Sequence, residues 1–175
     1  MSTIPLLIVS GPIGVGKTSV AEEVSNILVG RDIPHTLLDL DCLGETYPRP
    51  DDDPLGMNLM LANLESVWKN CVAAGSKNLV LARVIENDND KNNIIACIPN
   101  SRSVICQLKA NDDTLITRIR RREIGSGVDW HERRSLEMSA SLTEDAPADH
   151  WIDTDDRSVV HIANEIVGQV TWQKL

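Results

Sequence analysis

Apolar runs of four to eight residues alternate with stretches of helical period along this chain of 175 residues, and that alternation predicts a βαβ series. The predicted strands are 4–10, 35–39, 78–85, 103–109 and a short one at 151–153. Apolar positions at helical spacing predict helices over 17–28, 55–74, 112–122, 129–142 and 158–170, while 88–98 reads either way. Runs such as Leu6-Leu7-Ile8-Val9 are apolar on both sides of a pleat, as expected for a parallel sheet covered by helices on both faces. Gly30 and Gly75 stand where helix C-termini are expected, and Asp112 and Ser158 where N-caps are. Three prolines in Tyr47-Pro48-Arg49-Pro50-Asp51-Asp52-Asp53-Pro54 forbid a regular helix and predict a stiff extended loop. No repeat or flexible linker interrupts the series, so residues 1–175 are expected to form one domain.

The link between the first strand and the first helix carries the most specific chemistry. It reads Gly11-Pro12-Ile13-Gly14-Val15-Gly16-Lys17-Thr18, the pattern Gly-x-x-x-x-Gly-Lys-Ser/Thr of a phosphate-binding loop. Glycines let consecutive backbone N–H groups wrap phosphate oxygens without Cβ clashes, and the following helix adds the positive end of its dipole. Lys17 is expected to reach the β- and γ-phosphates and the Thr18 hydroxyl to ligate Mg²⁺. The expected nucleotide contacts are Gly11, Ile13, Gly14, Val15, Gly16, Lys17, Thr18 and Ser19, with ATP and Mg²⁺ as the implied cofactors.

A second group of residues ends the second strand. In open parallel sheets ligands bind outside the carboxyl ends of strands, which brings Asp39 and Asp41 near the phosphate loop. Two residues apart, they share one direction if the strand pattern persists. One can then hold Mg²⁺ or its water, and the other can accept a proton from an acceptor hydroxyl; Asp41 is preferred for the proton. The third strand, Leu79-Val80-Leu81-Ala82-Arg83-Val84-Ile85-Glu86, lacks the usual Walker-B acid, which shifts metal duty to Thr18, Asp39 and Asp41. Arg83 within an apolar strand needs a partner unless it lies at the carboxyl edge; it is read as an acceptor contact or as half of an ion pair.

Composition narrows the partners. A formal charge of −9 argues against nucleic acid, since phosphate-backbone binding needs an excess of Lys and Arg. Six of the 17 Lys and Arg residues nevertheless crowd into 118–134: Arg118, Arg120, Arg121, Arg122, Arg133 and Arg134. The four cysteines, Cys42, Cys71, Cys97 and Cys106, form no Cys-x-x-Cys pair, so neither a zinc site nor a disulfide framework is expected. The first apolar run stops at the glycine loop, and no stretch approaches the ~20 apolar residues of a membrane span. The expectation is a soluble cytoplasmic protein. With no phenylalanine and 3% aromatics, the core must come mainly from Ile, Leu and Val.

The phosphate loop, the Asp-x-Asp after strand two and Thr117-Arg118-Ile119-Arg120-Arg121-Arg122 before a glycine loop occur in that order. In this the chain resembles the P-loop small-molecule kinases, a group that includes nucleoside monophosphate, shikimate and gluconate kinases, adenylylsulfate kinase and chloramphenicol phosphotransferase. The resemblance covers nearly the whole chain. It implies a three-layer α/β P-loop NTPase fold with a five-stranded parallel sheet in the order 2-3-1-4-5, and a lid over about 118–134. Arg118, Arg121 and Arg122 match the lid arginines by position, and Glu123-Ile124-Gly125-Ser126-Gly127-Val128 matches the lid tip. Ile152-Asp153-Thr154-Asp155-Asp156 matches the loop around adenine, with Asp155 as the expected contact. The reaction is then expected to rest on Lys17, Asp41, Arg118 and Arg122, and the acceptor to lie over Tyr47, Arg49, Arg83, Asp39 and Asp41.

The implied activity is transfer of the γ-phosphate to a hydroxyl or phosphate of a small molecule, a nucleoside monophosphate among the options, by a monomer or homodimer. Two other readings remain. Asp41-Cys42-Leu43-Gly44 superficially matches the Asp-x-x-Gly of GTP-dependent switches, although it follows the wrong strand and no Asn-Lys-x-Asp appears. A kinase-like chain that only binds partners is compatible with the missing Walker-B acid. His131 is read as a helix-surface residue, since no His-Glu-x-x-His pattern surrounds it.

Overall fold

The computed structural model describes residues 3–142 and 146–174. The most apolar run, Ile4–Ser10, forms β1, and burial of Leu6, Leu7, Ile8 and Val9 on both sides is what a central parallel strand requires. β2 is His35–Asp39, β3 Asn78–Ala82, β4 Ser101–Lys109 and β5 His150–Asp153. All pairings are parallel and the order is β2-β3-β1-β4-β5, as expected.

The alternation of Cβ directions along a strand sends successive residues of β1 into two separate cores. Leu7 and Val9 pack with Val20, Val24 and Leu28 of α1 (Lys17–Val29) and with Ile162 and Ile166 of α6 (Val159–Val167). Leu6 and Ile8 pack on the other face with Met60, Leu64 and Trp68 of α2 (Met57–Ala73) and Ile94 of α3 (Asp88–Ala96). Two further helices, α4 (Asp112–Arg122) and α5 (Val128–Ser141), meet at an exposed turn whose Ile124 lies wholly in solvent. Among the described residues no helix is long and apolar enough to cross a membrane.

Several boundaries differ from expectation. The ambiguous segment is helical, because Asn87 caps α3 by accepting from the Asp90 N–H at 3.0 Å. Asn111, not Asp112, caps α4, accepting from Thr114 N–H at 2.8 Å. Ser158 does cap α6. β3 stops at Ala82, three residues early, so Arg83 lies past the strand's carboxyl edge instead of inside the sheet. α2 starts at Met57 rather than 55: Asp53 accepts the Leu59 N–H at 3.0 Å and satisfies one donor of the first turn. That bond, with those of Asn58 and Met57, holds the Asp53 carboxyl below its usual range against the opposing effect of burial.

The largest local difference follows β2. The strand pattern does not persist beyond Asp39; Leu40–Gly44 is a 3₁₀ turn capped by Asp39, which accepts the Asp41 N–H at 3.1 Å. Asp39 and Asp41 therefore differ in role from the start, since one carboxylate anchors the turn that presents the other. The Gly44 of this turn packs against α2's entry. A Cβ there would fall 2.6 Å from the Gly56 carbonyl oxygen, which accounts for the Asp-x-x-Gly spacing by backbone packing alone.

Candidate active site

The loop between β1 and α1 turns through left-handed conformations at Gly11, Gly14 and Gly16, with φ of 140°, 85° and 103°. At Gly11 a Cβ would come within 2.6 Å of the Leu108 carbonyl oxygen, and at Gly14 within 2.8 Å of Ile119 Cγ1. The loop is thus pressed onto β4 and α4, and glycine is required by space as well as by φ. Gly14→Ala is expected to destabilise the fold by about 2 kcal/mol through combined φ strain and overpacking, read as a thermal midpoint lower by roughly 4–8 °C.

Two side chains that bind the loop from outside fix its shape. Ser135 of α5 donates to the Ile13 carbonyl at 2.6 Å, and Arg118 of α4 donates to the Val15 carbonyl at 3.1 Å. Sequence reasoning missed Ser135; its signal is a small polar residue at a fully buried helix position. Inside the loop, Lys17 Nζ donates to the Pro12 carbonyl at 3.1 Å, which curls the side chain over the space the backbone encloses. Burial lowers the Lys17 ammonium below its usual range, opposed by Asp41 and Asp39 and reinforced by Arg122 and Arg83.

Thr18 donates its hydroxyl proton to Asp39 Oδ2 at 2.7 Å, so two of the three residues expected to serve a metal stand together. Asp41 faces Arg83, whose Nη1 donates to Asp41 Oδ1 while Nη2 meets Met57 Sδ at 3.1 Å. Among the described residues no three His, Cys, Asp or Glu side chains gather into a metal cage. Hydroxyl plus carboxylate is a donor set that fits Mg²⁺, which keeps waters and takes substrate phosphates instead of a full protein shell.

A cleft of about 900 Å³ opens beside the loop. It is lined by Lys17, Thr18 and Ser19 at one end and by Asp41, Arg49, Arg83, Arg122, Trp130, His131 and Arg134 elsewhere. Ile13, Gly14 and Gly16 also border it. Arg134, which the sequence reading left without a role, pairs with Glu86 at 3.0 Å across the cleft. His131 also borders the space, with Nδ1 2.9 Å from the Gly127 carbonyl and the ring edge-on to Trp130 at 5.0 Å.

Several expected contacts do not border the cleft, Gly11, Val15 and Asp39 among them. Tyr47 is 97% exposed and does not border the cleft. Arg49 takes the inward direction in that loop, held at 3.1 Å by the Pro54 carbonyl and at 3.2 Å by Glu45, and leaves Tyr47 in solvent. Arg118 points away from the large cleft: besides Val15 it donates to Thr154 Oγ1 and the Thr154 carbonyl, each at 2.9 Å. It ties the phosphate loop, α4 and the loop after β5 together, and with Arg121 borders a separate shallow groove. Asp155 turns inward too, accepting the Asn111 N–H at 2.9 Å. Burial would raise its carboxyl, but hydrogen bonds from Asn111 and Thr114 outweigh it and lower the group. Arg118→Lys is expected to keep the charge, lose the fork of donors and cost about 1–2 kcal/mol in stability, measured by urea unfolding.

Arg120 and Arg122 complete the arginine cluster. Arg120 grips Glu132 with two bonds of 2.6 and 3.1 Å, joining α4 to α5. Arg122 alone of the expected lid arginines borders the cleft, with Glu123 2.7 Å away.

No family model and no curated protein matches the sequence. Solved structures match the fold over nearly the full chain. A gluconokinase from Sinorhizobium meliloti 1021 aligns at 16% identity over 96% of this chain and 92% of its own, with a TM-score of 0.62. The tunicamycin resistance protein of Deinococcus radiodurans aligns at 20% identity over 98% and 99%, with a TM-score of 0.61. A shikimate kinase from Acinetobacter baumannii aligns at 16% over 95% and 93%, with a TM-score of 0.58. At these identities the likeness establishes a shared fold: the three-layer P-loop sheet order anticipated from the sequence.

Proposed function

We propose that this protein is an ATP-dependent phosphotransferase that moves the γ-phosphate to a small-molecule acceptor. The observation that carries the reading is the union of two features in one space: a glycine-built phosphate cradle ending in Lys17 and Thr18, and a cleft of about 900 Å³ opening directly from it. The cleft runs from the phosphate loop to Arg49, Arg83 and Arg134. The solved structures that share the fold include two kinases of small molecules, gluconokinase and shikimate kinase.

In this reading the backbone N–H groups of 13–18 and the α1 N-terminus hold the β- and γ-phosphates. Lys17 and Arg122 neutralise charge that spreads over the transferred group. Thr18 and Asp39 would hold Mg²⁺ beside the phosphates, and the ion would supply charge neutralisation when bound. Asp41 stands between cradle and cleft, oriented by Arg83, and receives the proton of the attacking hydroxyl. Arg49, Arg83 and Arg134 shape the acceptor end. The turn joining α4 and α5 closes to exclude water. No nucleic acid takes part, in keeping with the net charge of −9.

The test is ADP formation from Mg²⁺ and ATP with pools of nucleosides, nucleoside monophosphates, sugars, hydroxy acids and hydroxylated antibiotics. The reading expects one pool to raise the rate well above the acceptor-free level. Failure of every pool, with ATP still bound, would turn the reading toward a nucleotide-dependent binding module.

A further inference from the structure

We infer that the phosphoryl acceptor is an uncharged alcohol with an apolar or aromatic body; this rests on the phosphotransferase reading above. The first argument is charge. Five cationic side chains and five carboxylates border the cleft, and each of its arginines already touches a carboxylate. Arg49 meets Glu45 at 3.2 Å, Arg122 meets Glu123 at 2.7 Å, Arg134 meets Glu86 at 3.0 Å and Arg83 meets Asp41. Lys17 belongs to the phosphate loop. An acceptor carrying a carboxylate or phosphate would have to break one of these pairs and would leave the displaced carboxylate facing its own charge. A neutral acceptor disturbs none of them.

The second argument is the apolar lining. Met57 borders the cleft, Met60 and Met138 reach it only from the core at 1% and 9% exposure, and Leu55, 76% exposed, also lines it. Unbranched, polarizable thioethers adapt to irregular apolar shapes and favour aromatic rings. Trp130, 52% exposed, borders the same space. These side chains match a flat or bulky apolar body whose hydroxyl reaches Asp41.

The transfer step balances without another reactant. The acceptor oxygen bonds to the γ-phosphorus as the bond from that phosphorus to the β–γ bridging oxygen breaks. The bridging oxygen keeps the electron pair and leaves with ADP, and the hydroxyl proton passes to the Asp41 carboxylate.

The experiment uses matched pairs, each an apolar alcohol and its analogue bearing an added carboxylate or phosphate, offered with Mg²⁺ and ATP. Transfer to the uncharged member is expected to exceed that to the charged one by about tenfold or more, the penalty for placing an unpaired charge against the lining. Trp130→Ala is expected to raise the acceptor KM with ATP affinity unchanged. Equal or better transfer to charged members overturns this inference and leaves the phosphotransferase reading standing. If no pair accepts phosphate but one of the wider acceptor pools does, this inference is overturned and the phosphotransferase reading stands; if no pool does either, the phosphotransferase reading fails, and saturation-transfer NMR of the same pairs decides the pocket. Preferential binding of the uncharged members, weakened by Trp130→Ala, supports the inference; preference for charged members, or no binding sensitive to that variant, overturns it.

Discussion

Lys17→Ala is expected to lower kcat for acceptor-stimulated ADP formation by about 10³-fold, while the thermal midpoint stays within a few degrees of the parent's. The size follows from removing a preorganised donor aimed at charge that develops in the transition state, typically worth 10²–10³-fold or more. Folding should be spared because the one hydrogen bond of Lys17 goes to the Pro12 carbonyl, and loss of a single bond of this kind costs about 1 kcal/mol. Truncation also removes the desolvation that now depresses the ammonium, so part of that cost is returned. A circular-dichroism melt beside the turnover assay separates the two effects. Near-parental turnover would remove Lys17 from the reaction.

Asp41→Asn is expected to lower kcat by about 10²–10⁴-fold at saturating Mg²⁺, the range for losing a positioned general base. The amide keeps the shape and can still accept from Arg83, so the 3₁₀ turn, which is capped by Asp39 and not by Asp41, should survive. A Mg²⁺ titration then divides the two roles open to this carboxylate. If Asp41 takes the proton, the defect persists at every Mg²⁺ concentration; if it holds the ion, high Mg²⁺ restores a large part of the rate. Full turnover in the variant would sink both assignments and leave Asp41 as half of a structural ion pair with Arg83.

The fold was legible because its information is local. Near-continuous apolar runs, helical spacing and one glycine-rich phosphate loop each occupy a few consecutive residues, and five parallel strands formed where they were expected. Boundaries depended on individual side chains. Asn87 and Asn111 cap helices that neighbouring aspartates could have capped equally well by composition, and Asp53 fixes the start of α2 from four residues upstream.

The site divides along the same line. Lys17, Thr18, Asp39, Asp41 and Arg83 stand near one another because strand ends in a parallel sheet converge on one edge, although the 3₁₀ turn after Asp39 overturns the shared direction expected of Asp39 and Asp41. The roles of long side chains were not legible, because an arginine's direction depends on which acceptors the tertiary structure supplies. Arg118 found Val15 and Thr154, 103 and 36 residues away in sequence, while Tyr47 stays in solvent. Ser135 and Arg134 entered the site from α5, whose distance from the phosphate loop is fixed by helix packing and by no motif.

The central claim is transfer, and transfer of label tests it most directly. Protein, Mg²⁺ and ATP labelled at the γ-phosphate are mixed with the acceptor pools under single-turnover conditions, and the small-molecule fraction is separated from nucleotide and inorganic phosphate. The account predicts label in an organic phosphate ester, formed by the parent protein and lost in Lys17→Ala. Label found only in inorganic phosphate, or ester formed equally by the variant, would contradict it.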